Sequence, residues 1–383
     1  MKLYNSLTKT KEEFKPNNPS EVTMYVCGIT PYDTTHLGHA FTYTTFDILY
    51  RFLQFQNFKI NYTQNVTDID DDILKRAKRD KENWQRLGDR WTEKYVNDMA
   101  TLNNVKPTHY VKATETMPTI IEIITKLVTD GFAYESEGNV YFDVTKDPEY
   151  GKLSDYSEGE MTELSRERGA DPDDNRKRNP LDFIMWQKSL PDEPSWESPW
   201  GKGRPGWHIE CSAMAYKYLD EKIDIHGGGN DLIYPHHESE IAQSEAFTGL
   251  QPFSQFWLHT GAVGYLGEKM SKSLGNLIMV SKLLKTYTPN TIRYLLLSNH
   301  YREPWEYTEH HIKEADKHMK RIEQECKNMN RVNNETKKHI QTFSEAMSDD
   351  LDTPQALKII DEAIQSGDDK AVAIMAEVLG FKF

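Results

Sequence analysis

Strand-like and helix-like runs alternate through the first third of this chain, and that rhythm restricts the fold more than any other feature. Residues 23–27 and 59–65 read as extended, whereas 38–55 and 84–102 carry the length and 3.6-residue period of helices. A strand that returns parallel to its predecessor needs a long crossover, usually a helix. The alternation therefore predicts an α/β fold, a parallel sheet flanked by helices.

The rhythm breaks after residue 110. A helix at 117–130 leads into a hairpin-like run at 133–142, then a charged, proline-containing segment, RERGADPDDNRKRNP, at 166–180. This stretch reads as an insertion ending in a mobile loop. Runs at 207–211, 223–233 and 256–263 return to strand, loop and helix units of the same sheet. From about residue 288 the pattern is wholly helical, with runs at 291–298, 311–330, 335–347, 353–365 and 370–379. The expected organisation is a first sheet half at 1–110, an insertion at 111–200, a second half at 201–287 and a helical bundle at 288–383.

A chain of 383 residues exceeds the size at which one core stops growing, so a catalytic domain with appendages is expected. Its net charge of −14 argues against a broad basic surface. The densest basic run, Lys75, Arg76, Lys78, Arg79, Lys81 and Arg86, is interleaved with Asp80 and Glu82 and reads first as a solvated helix face. Three cysteines are too few for a disulfide framework. With no apolar run of membrane-spanning or signal-peptide length, the expected location is the cytoplasm, away from any membrane.

Two short segments carry the chemistry. His36-Leu37-Gly38-His39 stands where a helix begins after a loop, aiming amide N–H groups and the positive dipole end at an anion. Gly38 lets a ligand approach the backbone, and His36 and His39 can donate to a triphosphate as charge builds. Lys269-Met270-Ser271-Lys272-Ser273 puts two ammonium groups on a Gly- and Ser-flanked loop, with Lys272 better placed for a departing pyrophosphate. Together they predict activation of a carboxylic acid by ATP, with Mg2+ arriving on the nucleotide.

A third group is Cys27, Cys211, His236 and Glu240. His236 and Glu240 are four residues apart and share a face of a helix starting after Pro235. Two thiolates, an imidazole and a carboxylate suit one zinc ion, with His237 an alternative ligand. Trp207 would sit beside that metal. The loop His226-Gly227-Gly228-Gly229-Asn230-Asp231 lets backbone pass against a ligand, with Asp231 able to hold a substrate ammonium. Cys326 reads as structural.

The segments MYVCGITPYDTTHLGHA, NVTDIDDDIL, GKGRPGWHIECSAMA, IDIHGGGNDLIYPHHESEIAQSE and EKMSKSLGN resemble the cysteine-activating branch of the class I aminoacyl-tRNA synthetases over residues 24–276. The resemblance implies a Rossmann-like catalytic domain. It also implies an ATP site holding Gly28, Thr30, His36, Gly38, His39 and Lys272, with His36, His39, Lys269 and Lys272 catalytic. Thr67, Trp207 and Asp231 would line the cysteine pocket, and zinc on Cys27, Cys211, His236 and Glu240 would take the substrate thiol. Shape alone separates cysteine from serine by only about 10²-fold, whereas a soft metal–thiolate bond rejects the hydroxyl far more strongly.

Two kinds of enzyme share that domain: cysteinyl-tRNA synthetases, and ligases that join cysteine to the amine of glucosaminyl-inositol in mycothiol synthesis. GITPYD, His39, the RERGADPDD loop, VGYLGEKMSKS and HYREPWEYT resemble the second. So does the end, since 383 − 272 leaves 111 residues after Lys272, where a synthetase would continue into an anticodon-binding domain. Glu240, SEIAQSE and IDIHGGG resemble the first. The resulting expectation is an amino-sugar acceptor, with tRNA as the alternative and a non-catalytic paralogue as a remote third.

Overall fold

The computed structural model describes residues 1–383 apart from 33–34, 271–273 and 328–333. Five strands form the central sheet: β1 (Glu21–Ile29), β2 (Lys59–Val66), β3 (His109–Lys112), β4 (Ile223–Gly229) and β5 (Ser254–Thr260). They lie in the order β5-β4-β1-β2-β3 with every pair parallel. β1 to β3 build outward to one edge, and the chain then returns to build β4 and β5 on the other side of β1. The order thus reverses between β1 and β4, and in such sheets the crevice beyond the carboxyl ends at that reversal is where ligands bind.

Helix α1 (Leu37–Phe55) follows β1 and covers the sheet. Phe41, Phe46, Leu49, Phe52 and Leu53 on it are buried. It is bound across the reversal: the Tyr43 hydroxyl donates to the Cys27 carbonyl at 3.2 Å, and the hydroxyls of Thr42 and Thr260 are 2.7 Å apart.

Between β3 and β4 the chain makes helix Met117–Thr129 and a four-stranded antiparallel sheet of Ala133–Ser136, Asn139–Phe142, Phe183–Lys188 and Gly203–Pro205. The hairpin-like run is therefore the edge of a larger sheet. The charged segment at 166–180 begins in helix Glu158–Glu167 and is then held by its carboxylates. Asp174 accepts from the Tyr141 hydroxyl at 2.9 Å and from Arg176, and just past the segment Asp182 accepts from the Tyr134 hydroxyl at 2.6 Å.

Two helices complete the site region, α2 (Trp207–Tyr218) and α3 (Glu238–Thr248). The run 207–211, expected to open a strand unit, opens α2 instead. Every residue from His208 to Ala215 is buried, so the segment shows no polar face and its helical period is masked. The run 256–263 likewise divides, ending in β5 and resuming as Val263–Tyr265. That short strand pairs antiparallel with Glu268–Lys269 and parallel with Trp305–Glu306.

Helices Pro289–Leu297, Glu309–Lys327, Thr336–Ser348, Thr353–Gln365 and Asp369–Val378 pack together and against α1. Residues 328–330 of the long helical run lie outside the described residues. The basic run at 75–86 is mostly exposed, with Arg76 and Arg79 paired to Asp80 and Lys75 to Asp72. No helix among the described residues is long and apolar enough to cross a membrane.

Candidate active site and metal centre

Four elements deliver the cluster. Cys27 comes near the end of β1, Cys211 from the first turns of α2, His236 from the irregular turn Ile233–His237, and Glu240 from the first turn of α3. Each offers a donor atom within 4.8 Å of the other three, and all four side chains are buried. The two Sγ atoms stand 3.9 Å apart, Cys27 Sγ lies 3.4 Å from Glu240 Oε1, and His236 Nε2 lies 3.0 Å from the same oxygen. The helix expected from Pro235 starts at Glu238. Tyr234 keeps extended torsions (φ −132°, ψ 136°), and the break still leaves His236 facing Glu240.

Burial forces these groups into their neutral forms. It pushes the Cys27 and Cys211 thiols and the Glu240 carboxyl up, and the His236 and His237 imidazoles well down. Glu240 Oε2 has no hydrogen-bond partner among the described residues. A buried carboxylate oxygen left open costs free energy unless something fills it. Two sulfurs, one imidazole and one carboxylate with donor atoms this close together fit a divalent ion of zinc type, whose charge reverses the cost of ionising them.

His237, left open as an alternative, also faces Cys27, its Nε2 3.3 Å from Sγ. His226 does so at 3.5 Å. Sequence reasoning assigned His226 no role. Its only signal was a polar residue inside a buried strand that also carries Asp224. The three glycines after His226 are the last residues of β4, where a loop was expected. A Cβ on Gly227 would fall 2.1 Å from the Phe46 ring, so the glycine is what lets α1 lie this close.

Trp207 stacks on the His236 ring, centroids 4.2 Å apart at 17°, beside the cluster as expected. Thr67 is buried just past β2, accepting from Asn65 Nδ2 at 3.2 Å and reaching the Glu210 carboxyl. Glu210, adjacent to Cys211, is 1% exposed, and its Oε2 has no hydrogen-bond partner among the described residues. Sequence reasoning did not single it out. Asp231 follows β4 directly and is half-buried. Its carboxylate faces Lys269 at 3.6 Å and Arg168 of the insertion at 3.9 Å.

The segment that follows the second motif meets the first through its backbone. His36 caps α1, accepting from the His39 amide at 3.4 Å, and the two rings stack at 3.8 Å. The segment after the lysine loop pairs with this turn, Leu37 N donating to Ile278 O at 2.9 Å and Val280 N to Thr35 O at 3.0 Å. Lys269 ends the small strand Glu268–Lys269. Lys272 lies outside the described residues. Gly28 sits within β1, where a Cβ would be 1.7 Å from the Asn65 carbonyl oxygen, and Gly38 packs on the His36 ring. Thr30 follows β1 and accepts from the Tyr32 amide. Cys326 is buried in the helical bundle, away from the cluster.

A family model described as "tRNA synthetases class I (C) catalytic domain" matches residues 13–320. Cysteine--tRNA ligase of Carboxydothermus hydrogenoformans is 45% identical over 96% of this chain and 80% of its own length. That of Thermococcus onnurineus is 46% identical over 94% and 79%. That of Pyrococcus furiosus is 52% identical over 81% and 64%. Among solved structures, Mycobacterium tuberculosis methionyl-tRNA synthetase with methionyl-adenylate shares the fold at a TM-score of 0.65, 15% identity and coverage of 94% and 89%. A leucyl enzyme complex from Agrobacterium radiobacter does so at 0.67, with 9% identity and coverage of 96% and 84%.

Proposed function

We propose that this chain, which belongs to the class I (C) tRNA synthetase catalytic-domain family, activates L-cysteine with ATP and passes the cysteinyl group to a tRNA. The family makes it an ATP-dependent ligase. The observation that carries the choice of cysteine is the buried Cys27, Cys211, His236 and Glu240 cluster at the sheet reversal, flanked by Trp207. Those four residues would hold a zinc ion, which when bound supplies a soft partner for the substrate thiol that a hydroxyl cannot match.

The residues of the chain then do the following. Asp231 receives the substrate ammonium and Trp207 walls the pocket. The α1 amides, with His36 and His39, face the α-phosphate, using the positive end of the helix dipole. The cysteine carboxylate attacks the α-phosphorus, the bond to the bridging oxygen breaks, and pyrophosphate leaves toward Lys269 and Lys272. A ribose hydroxyl at the tRNA terminus next attacks the acyl carbon of the adenylate, and AMP departs.

The relatives cited all carry the tRNA-ligase name, which favours tRNA over the amino-sugar acceptor expected from the sequence. Glu240, which already leaned toward tRNA, is one of the four donors. Zinc-loaded protein is expected to exchange pyrophosphate into ATP only with cysteine present, and to charge cysteine tRNA with radiolabelled cysteine. Exchange accompanied by an amide on glucosaminyl-inositol, and no charged tRNA, would overturn the acceptor. Absence of exchange would overturn the activation step.

A further inference from the structure

We propose that the metal centre contains two overlapping donor sets, with Cys27 and Glu240 common to both and His226 with His237 forming a second pair beside Cys211 and His236. This rests on the metal-binding part of the reading above and on no part of the acceptor assignment. Cys27, His226, His237 and Glu240 also place their donor atoms within 4.8 Å of one another, all buried. His226 Nε2 stands 3.5 Å from Cys27 Sγ and 3.5 Å from Glu240 Oε2, the oxygen that lacks a hydrogen bond among the described residues. Glu240 therefore turns one oxygen to each set, Oε1 to His236 at 3.0 Å and Oε2 to His226.

One imidazole of each set, His236 in the first and His237 in the second, has the outer support that metal-binding imidazoles use, a partner for the ring nitrogen away from the ion, while His226 Nδ1 has no hydrogen bond among the described residues. His236 Nδ1 meets His208 Nδ1 at 2.9 Å. His237 Nδ1 meets His259 Nε2 at 2.7 Å, and His259 Nδ1 in turn meets Ser6 Oγ at 2.8 Å. His226 is held by stacking on Trp257, centroids 4.3 Å apart. Aligned rings with oriented nitrogens are expensive to bury without a function, because each polar atom forgoes water.

The two sets differ in softness. The first has two thiolates and one imidazole, the second one thiolate and two imidazoles. Thiolate-rich sites favour zinc, while imidazole suits nickel as well. The first set is therefore the zinc position. The second holds the ion when Cys211 or His236 is removed, and takes a larger share of a nickel ion in the intact protein.

The test uses purified full-length chain with the metals alone. Cys211→Ala and His236→Gln should each keep about one zinc per chain through gel filtration, and cobalt-loaded Cys211→Ala should lose roughly half of the thiolate charge-transfer absorption. Adding His226→Asn to Cys211→Ala should release the metal, with circular dichroism verifying the fold. In the wild type, X-ray absorption should count two sulfurs around zinc and fewer around nickel, a readout that needs no variant to fold. Metal-free but folded Cys211→Ala and His236→Gln, or equal sulfur counts for the two metals, would overturn the second set. Cysteine-dependent pyrophosphate exchange by the zinc-loaded wild type separates that failure from failure of the proposed function.

Discussion

At the scale of single residues, the site depends as much on absent side chains as on present ones. Gly227 is the clearest case, since any Cβ there meets the Phe46 ring at 2.1 Å on a strand and helix that are both fully packed. Overpacking of this kind costs about 1–3 kcal/mol. Gly227→Ala should lower the unfolding free energy by that amount in a urea titration, and Gly227→Ala with Phe46→Leu should recover part of it. The glycine triplet was visible in the sequence, but its reason was not. A run of glycines reads equally well as a turn or as a close contact, and only the partner ring decides. Cysteine identity was more legible, because two cysteines, a histidine and a glutamate suit only a few kinds of site.

At the scale of elements, the segment after the lysine loop is joined to the start of α1 by two backbone hydrogen bonds, Leu37 N donating to Ile278 O and Val280 N to Thr35 O. Val280 opens a short helix after Met279, whose torsions are extended (φ −82°, ψ 133°). Proline is tolerated at such a first helical position and after such a residue. Val280→Pro therefore removes the bond to the Thr35 carbonyl without breaking the helix. It should cost about 1–2 kcal/mol from the lost bond and trimmed side chain. The KM for ATP should rise severalfold while the KM for cysteine stays nearly constant. An equal rise in both would mean the pairing does not serve the nucleotide. Element types were read well where one face is polar, as in the C-terminal helices. They were misread at 207–211, where burial on all sides removes the pattern that periodicity needs.

At the scale of the whole molecule, one buried ion pair ties the sheet domain to the helical bundle. Arg293, 1% exposed in helix Pro289–Leu297, pairs with Asp47 of α1, which is 2% exposed. It also donates to the Leu379 carbonyl at 2.6 Å and the Leu102 carbonyl at 3.0 Å, joining three distant parts of the chain. Removing Asp47 strands the Arg293 charge in the core, at a cost of about 3–5 kcal/mol, whereas Asp47 keeps a second cation, Arg51 at 2.9 Å, when Arg293 is removed. Arg293→Met should lower the melting temperature sharply. Asp47→Asn should lower it further than Arg293→Met does, because Arg293 and Arg51 then both lose this carboxylate. No spacing or motif marked Asp47 or Arg293 in advance, since 246 residues separate them. The sequence alone determined the α/β class and the residue types that gather in the buried cluster, because those follow from periodicity and side-chain chemistry, which are local. Which sulfur meets which imidazole, that His226 and His237 face the same cysteine, and that the segment after the lysine loop is stitched to the start of α1 were decided only by the tertiary structure. Those facts depend on how strands far apart in the chain are ordered in one sheet, and no local pattern encodes that order.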